Sequence, residues 1–216
     1  HKLGPVHAVC QVLDRLDDEE EVLVSYCDFG MAWDCADFLR TVRRLGADGA
    51  IPAYRGFHPH ALRPTLYAYL RERDGWLEEI REKGHFTADR MSEFASAGCY
   101  NFRRGVFEKQ FFPELVSRNL HVNGEFYVSM VYAMMREAGL RTCVYEVPVF
   151  LQWGTPEDLQ EYQYWSDHFR AGEPPEPEEP APRDRTHNLV LMAGRGTRFA
   201  AEGSTLPKPL IPVSGI

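Results

Sequence analysis

Hydrophobic positions in the first quarter of the chain change repeatedly between helical and extended spacing. Apolar residues of 6–16 recur at the three- and four-residue spacing of a helix, and 21–26 then form a short β-rich run. A second helical pattern over 36–45 ends at Gly46, a residue that favours a left-handed helix cap, and 50–54 is the next apolar run. This alternation predicts an α/β fold in which helices pack on a sheet.

The middle of the chain predicts antiparallel strands and further helices. Short apolar runs bounded by polar, glycine or proline residues predict strands at 66–69, 76–80, 94–102 and 143–149. Helical spacing covers 106–117 and 125–138. Thr155 followed by Pro156 predicts the N-cap and first position of another helix, which should run to about Phe169.

A change of composition divides the chain into three predicted parts. Proline and glutamate are repeated over 171–185, where few residues are suited to a core, so a solvated, semi-rigid linker is expected. Another buried-strand pattern at 188–193 then leads into a glycine-rich turn. We therefore predict one segment at 1–170, a linker at 171–187 and a second segment at 188–216.

Composition and charge exclude several classes of protein. The 216 residues are 44% hydrophobic and carry a formal net charge of −8, which fits a folded protein and disfavours broad nucleic-acid binding. Five widely spaced cysteines without a CxxC pair suit neither a disulfide framework nor a zinc site. No apolar run is long enough to cross a bilayer, and no signal segment is apparent. We expect a cytoplasmic protein with reduced thiols.

The glycine-rich turn after 188–193 carries the most specific motif. Glycines at 194 and 196 allow backbone N–H groups to approach phosphate oxygens closely, and Arg198 and Lys208 add positive charge. The spacing fits neither a P-loop nor the Rossmann fingerprint. The run LMAGRGTRF at 191–199, followed by PKPLIPV at 207–213, resembles the opening signature of the sugar-phosphate nucleotidyltransferase family.

The resemblance implies roles for these residues. Those expected to bind the nucleotide are Ala193, Gly194, Gly196, Thr197 and Arg198. Arg198 would bind the outer phosphates, and Lys208 would lie near the α-phosphate, so that both act in catalysis. The alternative is a plain glycine turn followed by an exposed Pro-Lys-Pro loop.

The segment from Leu3 to about Phe169 resembles the later part of the same family, particularly its capsule and surface-polysaccharide members. The resemblance makes Asp28 the Mg²⁺ ligand, with Asp34 a weaker neighbour. A helix or turn cap is the alternative for Asp28. The motif at 153–159 also identifies the family, with a structural role.

Further matches concern the acceptor substrate. Glu82 and Lys83 match an element whose lysine contacts the acceptor phosphate, and a surface ion pair is the alternative. Gly98 matches a strand of small residues beside the sugar, or else a tightly packed strand. Glu125 would bind acceptor or metal, or lie at a helix N-terminus. Many relatives carry a second carboxylate three residues later, where this chain has Val128.

A histidine pair adds a weaker candidate. His58 and His60 flank a proline in one loop and make a poor zinc site. A loop beside the substrate is a better interpretation than a metal site, and no functional role is better than either.

The family implies a Rossmann-like mixed sheet sandwiched by helices, of the GT-A-like type, here incomplete. In the family the glycine motif precedes the Asp28-like strand, whereas here it follows it. A tandem protein cut at both ends is the simpler explanation, and a circular permutation is the rival. The motif would then serve a second domain, and the 216 residues alone would be inactive.

The implied activity is Mg²⁺-dependent transfer of NMP from an NTP to a sugar phosphate or similar metabolite, with release of pyrophosphate. The alternatives are a domain that binds nucleotide sugars without turnover and a GT-A-like glycosyltransferase. The latter normally uses a DxD pair, which Asp28-Phe29-Gly30 does not supply. The expected partners are an NTP and a phosphorylated acceptor, without nucleic acid or membrane, and self-association stays open.

Overall fold

The computed structural model describes residues 3–62, 67–170, 186–191, 196–201, 203, 205–207, 210 and 211. Within these ranges the α-helices are α1 (Pro5–Cys10), α2 (Cys35–Leu45), α3 (Gly105–Ser117), α4 (Val128–Glu137), α5 (Pro156–Phe169) and α6 (Thr197–Ala201). The strands are β1 (Glu21–Tyr26), β2 (Phe29–Ala32), β3 (Gly49–Tyr54), β4 (Ala68–Arg73), β5 (Trp76–Glu82), β6 (Phe94–Ser96), β7 (Cys99–Phe102), β8 (Thr142–Glu146), β9 (Val149–Gln152) and β10 (Thr186–Leu191). None of these helices is long and apolar enough to cross a bilayer.

The main sheet mixes parallel and antiparallel strands, which confirms the predicted fold class. Its strand order is β10-β1-β7-β3-β6-β4-β5-β8, and β8 also pairs with β3. The pairs β1–β10 and β3–β8 are parallel, whereas the other pairs in this sheet are antiparallel. A separate two-stranded sheet joins β2 and β9 in antiparallel register, with Phe29 opposite Gln152.

The core lies between this sheet and the helices. The strands of the sheet carry apolar residues either at alternate positions or in continuous runs, and these residues pack against the helices. Val22 and Val24 on β1 are fully buried, and they belong to the same apolar cluster as Phe112 of α3 and Tyr132 of α4. A smaller cluster around Phe38 of α2 is also buried. Burial of such side chains contributes about 1.5–3 kcal/mol each, so both layers are tied firmly to the sheet.

Two helix ends form as the sequence predicts. Gly46 ends α2 with φ 60° in the left-handed region, and its N–H donates to carbonyls of the last turn. The Thr155 hydroxyl caps α5 by accepting from the backbone N–H of Asp158 at 3.2 Å. That helix ends at Phe169, as expected.

Several predicted boundaries are wrong. The first helix ends at Cys10, and a short 3₁₀ turn at Leu13–Arg15 replaces its second half. Gly98, with φ 80°, breaks the predicted strand 94–102 into β6 and β7. The helix expected from residue 125 begins at Val128, because the turn at Asn123 and Gly124 has positive φ and leads into extended backbone.

The segments on both sides of the predicted linker contribute to one sheet. β10 pairs with β1 over six residues, from Glu21 opposite Thr186 to Tyr26 opposite Leu191. The linker residues 171–185 lie outside the described residues. The assignment of the three parts to pieces of two nucleotidyltransferase domains stays a prediction.

Candidate functional site

Residues singled out from the sequence converge on one cavity of about 290 Å³. Those along its wall are Asp28, Glu82, Lys83, Gly98, Glu125 and Arg198. They come from the turn after β1, the end of β5, the β6–β7 turn, the loop before α4, and α6. The sheet topology therefore gathers side chains that are up to 170 positions apart in the sequence.

Lys83 is directed by an unusual backbone conformation at the end of β5. Its φ of 54° lies in the left-handed region, which costs a non-glycine residue about 1 kcal/mol or more. Its N–H donates to the Tyr67 carbonyl at 2.9 Å, which holds the turn. The ammonium group donates to the Tyr127 hydroxyl and lies 4.4 Å from the centre of that ring. Lys83 is therefore held at the cavity rather than exposed as a surface ion pair.

Glu82 is a partly buried carboxyl group on the same strand end. The Ser129 hydroxyl donates to it at 2.5 Å. Removal from water raises its pKa to about 7, while the Ser129 bond and the Lys83 charge act in the opposite direction. Near neutral pH both protonation states are populated, so this group can donate or accept a hydrogen bond.

Glu125 stands before α4 rather than in it. It forms an isolated bridge with Val122, and the Tyr127 hydroxyl donates to its carboxylate. The first turn of α4 contains no acidic residue, and Glu125 lies two positions before Tyr127, the N-cap of that helix. Val128 is fully buried, so this position presents an apolar side chain to the core.

The backbone conformation at position 98 and the limited space around it both favour glycine. Its φ is 80°, and a Cβ atom would lie 3.2 Å from Tyr26 Cδ2 and 3.3 Å from Phe29 Cε1. Both aromatic residues also line the cavity. The packing interpretation is therefore supported, and the glycine also leaves bare backbone along the cavity wall.

Asp28 lies in the turn between β1 and β2, close to the start of the family motif at 153–159. Its backbone carbonyl accepts from the Trp153 N–H at 3.0 Å. A Cβ atom on Gly154 would lie 3.2 Å from Asp28 Oδ2, so that glycine leaves room for the carboxylate. The residue that caps α2 is Asp34, whose side chain accepts from the Asp37 N–H at 2.8 Å and lies outside the cavity wall. Asp34 is thus a cap.

The carboxylates fit a magnesium ion better than a metal held by protein ligands alone. No group of three or more His, Cys, Asp or Glu side chains suited to a metal occurs among the residues that the structure describes. Mg²⁺ commonly takes one or two carboxylates and completes its shell with water and substrate phosphates. Asp28 on the cavity wall meets that requirement.

The histidine pair belongs to an aromatic cluster behind the cavity. His60 is buried and shares a hydrogen bond of 2.8 Å with the Tyr54 hydroxyl. The His60 ring lies 5.6 Å from that of Phe150, a residue of the cavity wall, while His58 stands 4.6 Å from Tyr54. Neither histidine lines the cavity itself, so the pair supports the wall.

The glycine motif is described only in part. Gly196 has φ 59°, and Thr197 begins α6 with an exposed side chain. Arg198 is exposed at the cavity, next to the buried Phe199 that fastens α6. Ala193, Gly194 and Lys208 lie outside the described residues. Of the described motif residues, Arg198 lines the same cavity as Asp28.

Several further residues of the wall carry no signal in the sequence that assigns them a role. They are Tyr26, Phe29, Tyr67, Tyr100, Tyr127, Phe150 and Gln152. Tyr26, Tyr100 and Tyr127 fall within the runs 22–28, 95–100 and 123–127 that resemble the family, although the resemblance assigns them no role, whereas the others are aromatic or amide residues outside those runs. Only their position in the folded sheet sets them apart from core residues.

Comparisons with known proteins agree with this architecture. Over 153 residues, 68% of this chain, the sequence is 31% identical to the bifunctional protein GlmU of Rhizobium etli strain CIAT 652 and to that of Rhizobium johnstonii. The chain spans 31% of the length of these curated relatives. No family model matches the sequence.

Two solved structures share the fold at low sequence identity. A nucleoside-diphosphate-sugar pyrophosphorylase from Vibrio cholerae RC9 has a TM-score of 0.57 at 14% identity, over 74% of this chain and 65% of that one. A putative glucose-1-phosphate thymidylyltransferase from Bacillus anthracis, in complex with a sucrose, has a TM-score of 0.58 at 15% identity, over 80% and 65%. The chain thus resembles the bifunctional GlmU proteins in sequence over part of their length and shares the fold of these two solved structures.

Proposed function

We propose that the 290 Å³ cavity is the substrate site of a nucleotidyltransferase that transfers NMP from an NTP to a sugar phosphate. The observation that carries the proposal is the meeting of Lys83 and Arg198 with Asp28 and Glu125 at one cavity. Nucleotidyl transfer to a sugar phosphate is also the reaction expected of the family that this chain resembles. The reaction would supply nucleotide sugars for surface polysaccharide in the cytoplasm, where NTPs are made and free cysteines stay reduced.

The charges at the cavity suit two phosphorylated substrates. Lys83 at the end of β5 and Arg198 on α6 both line the cavity, so two cations are available for two phosphate groups. Glu82 and Glu125 offer acceptors for sugar hydroxyl groups between them. The aromatic residues of the wall, including Phe29 and Phe150, provide apolar faces for a sugar ring.

In the proposed reaction an oxygen of the acceptor phosphate attacks the α-phosphorus of the NTP. The new P–O bond forms as the bond to pyrophosphate breaks, and no covalent enzyme intermediate is required. Lys83 would orient the acceptor phosphate, and Arg198 would offset charge on the departing phosphates. In this proposal, Lys208 and the glycine turn also bind the phosphates of the nucleotide.

Mg²⁺ is the expected cofactor, and Asp28 would hold it. When bound, the ion neutralises phosphate charge and strengthens the attack at phosphorus. The residues of this chain then bind, orient and exclude water around the substrates. A finding that Asp28→Asn leaves the Mg²⁺ dependence of NTP binding unchanged would remove Asp28 from this role.

Equilibrium binding tests the proposal directly. Calorimetry with α-D-glucose 1-phosphate, other hexose 1-phosphates, and each of four NTPs with Mg²⁺ should identify one ligand of each class. Lys83→Met should weaken the sugar phosphate more than the NTP, and Arg198→Ala should do the reverse. Absence of binding for all these ligands, or equal effects of both variants, would contradict the proposed roles.

Turnover is a separate question. Because the chain spans only 31% of the length of the curated relatives that it matches, we keep the prediction that these 216 residues bind ligands without releasing pyrophosphate. Pyrophosphate release with Mg²⁺, NTP and a sugar phosphate would overturn that prediction. Release would at the same time strengthen the assignment of the cavity as a substrate site.

A nucleotide-sugar sensor is the second candidate, and Val128 favours it. Its burial leaves no carboxylate at the position where many relatives have a metal ligand. A sensor would bind the finished nucleotide sugar more tightly than either substrate. A transferase would bind the NTP and the sugar phosphate about as tightly as the nucleotide sugar. The order of these three affinities therefore separates the two candidates.

A further inference from the structure

Tyr127 contacts two of the charged groups at the cavity. Its hydroxyl lies between the Lys83 ammonium and the Glu125 carboxylate, bonded to both. The two charged groups have no direct ion pair with each other in the described structure. Tyr127 therefore separates a cation from an anion that would otherwise attract each other directly.

The direction of both hydrogen bonds is fixed by the chemistry of the partners. An ammonium group can only donate, and an ionised carboxylate can only accept. The Tyr127 hydroxyl must therefore accept from Lys83 and donate its single proton to Glu125. Burial and the Glu125 charge raise the pKa of Tyr127 well above its ordinary value of 10, so the proton stays on the phenol.

A second contact fastens Lys83 on the same ring. The ammonium nitrogen lies 4.4 Å from the ring centre, within the range of a cation–π interaction. The backbone of Lys83 is held in the left-handed region at φ 54°. A strained backbone and two side-chain contacts thus converge to keep one lysine in one orientation.

We infer that Tyr127 is a positioning residue that holds Lys83 and Glu125 apart and aims the Lys83 ammonium at the acceptor phosphate. This inference rests on the proposed function, which makes a sugar phosphate the ligand of the cavity. Without the hydroxyl, Lys83 would be drawn to Glu125, and part of its charge would be withdrawn from the cavity. Tyr127 would then set the affinity for the sugar phosphate without contacting the nucleotide.

The test uses Tyr127→Phe, which keeps the ring and removes both hydrogen bonds. Tyr145→Phe is the matched control, since its hydroxyl also donates to a carboxylate, that of Asp37 at 3.0 Å, away from the cavity. With α-D-glucose 1-phosphate as the probe in calorimetry, Tyr127→Phe should weaken binding about ten-fold. Tyr145→Phe should leave the affinity within about two-fold, and NTP affinity should change in neither variant.

A double-mutant cycle shows whether Tyr127 acts through Lys83. In the Lys83→Met background, Tyr127→Phe should have an effect of less than about two-fold on glucose 1-phosphate, because its target is gone. An undiminished ten-fold effect in that background would overturn the inference. A loss of NTP affinity equal to that of the sugar phosphate would also overturn it, because it would indicate general damage.

A ligand-free measurement keeps the inference separate from the proposed function. In ¹⁵N-lysine NMR spectra, the Lys83 ammonium should give a signal protected from exchange in the wild type and in Tyr145→Phe. In Tyr127→Phe that signal should shift or be lost, because the ammonium group leaves the position set by the Tyr127 hydroxyl and moves towards Glu125. An unchanged Lys83 signal in Tyr127→Phe would refute the positioning role, whereas failure to bind glucose 1-phosphate with the signal behaving as expected would count only against the proposed ligand.

Discussion

Replacing Glu108 with glutamine should remove much of the pH dependence of folding stability above pH 7. Glu108 lies on α3, is fully buried, and neither of its carboxyl oxygens has a hydrogen-bond partner. Burial raises its pKa from 4.5 to about 9. The folded protein therefore binds a proton at this position that the unfolded chain has released by neutral pH.

The sign and size follow from this difference. Because the folded state holds more protons, stability is fully present below pH 4.5 and falls as the pH rises towards 9. At about 1.4 kcal/mol for each pH unit, Glu108 lowers the free energy of unfolding by about 3 kcal/mol at pH 7 and by about 2 kcal/mol more at pH 8.5. Glu82, whose pKa is about 7, contributes mainly below that pH, and the buried thiols of Cys99 and Cys143, whose pKa is raised from 9.0, contribute mainly above 8.5. The difference between the wild type and Glu108→Gln from pH 7 to 8.5 therefore reports Glu108.

Urea denaturation at pH 5, 7 and 8.5 measures the effect. Glu108→Gln should resemble the wild type at pH 5 and exceed its stability increasingly at pH 7 and 8.5, because the amide does not ionise. Glu114→Gln on the same helix is the control; its carboxylate is 41% exposed in an ion pair with Arg118 and should show no such trend. Parallel pH profiles for the wild type and Glu108→Gln would refute the reasoning.

Three further changes test the cavity. Ser129→Ala removes a hydrogen bond that stabilises ionised Glu82, so the pKa of the Glu82 carboxyl group should rise above 7. The measurement is a ¹³C NMR titration of the Glu82 carboxyl carbon, and an unchanged pKa would contradict the role given to Ser129. Gly98→Ala should cost about 1–2 kcal/mol in urea denaturation, because its φ of 80° and the nearby Tyr26 ring disfavour a Cβ; a neutral result would contradict the packing described. Asp28→Asn should weaken NTP binding in Mg²⁺ but not in EDTA, as measured by calorimetry, and equal losses in both would exclude a metal role.

Local features of the fold follow from the sequence because they depend on neighbouring residues. Gly46 ends α2 and Thr155 begins α5 through contacts within a few positions. The same reasoning places Glu125 in a helix, since its neighbours have helical spacing. Tyr127 has an extended backbone, with φ −98° and ψ 145°, so the helix begins only at Val128, and no periodic pattern of apolar residues reveals that start.

The site depends on contacts between distant residues, which is why only part of it is predictable. Family resemblance singles out Glu82, Lys83 and Glu125, yet the hydroxyls that organise them come from Tyr127 and Ser129, more than 40 positions beyond β5. Ser129 is unremarkable in a helical pattern, and Tyr127 lies at the N-cap of α4. Both contact the carboxylate or ammonium groups only once α4 packs against β5.

Burial of Glu108 has a similar origin. Its neighbours Phe107, Phe111 and Phe112 predict an apolar helix face, while a single glutamate in that pattern suggests an exposed position. Packing against both the sheet and neighbouring helices leaves α3 without a solvent-facing place for this residue. The cost of that burial is visible only in the folded protein.

Mapping the binding of α-D-glucose 1-phosphate by NMR tests the central claim most directly. Titration into ¹⁵N-labelled protein should shift the backbone amides of Lys83, Gly98 and Glu125, with saturation at one common dissociation constant. Amides on the exposed face of α5, such as that of Tyr164, should stay unchanged. Shifts confined to surfaces outside the cavity, or no saturable shift at Lys83, would contradict the assignment of this cavity to a sugar phosphate.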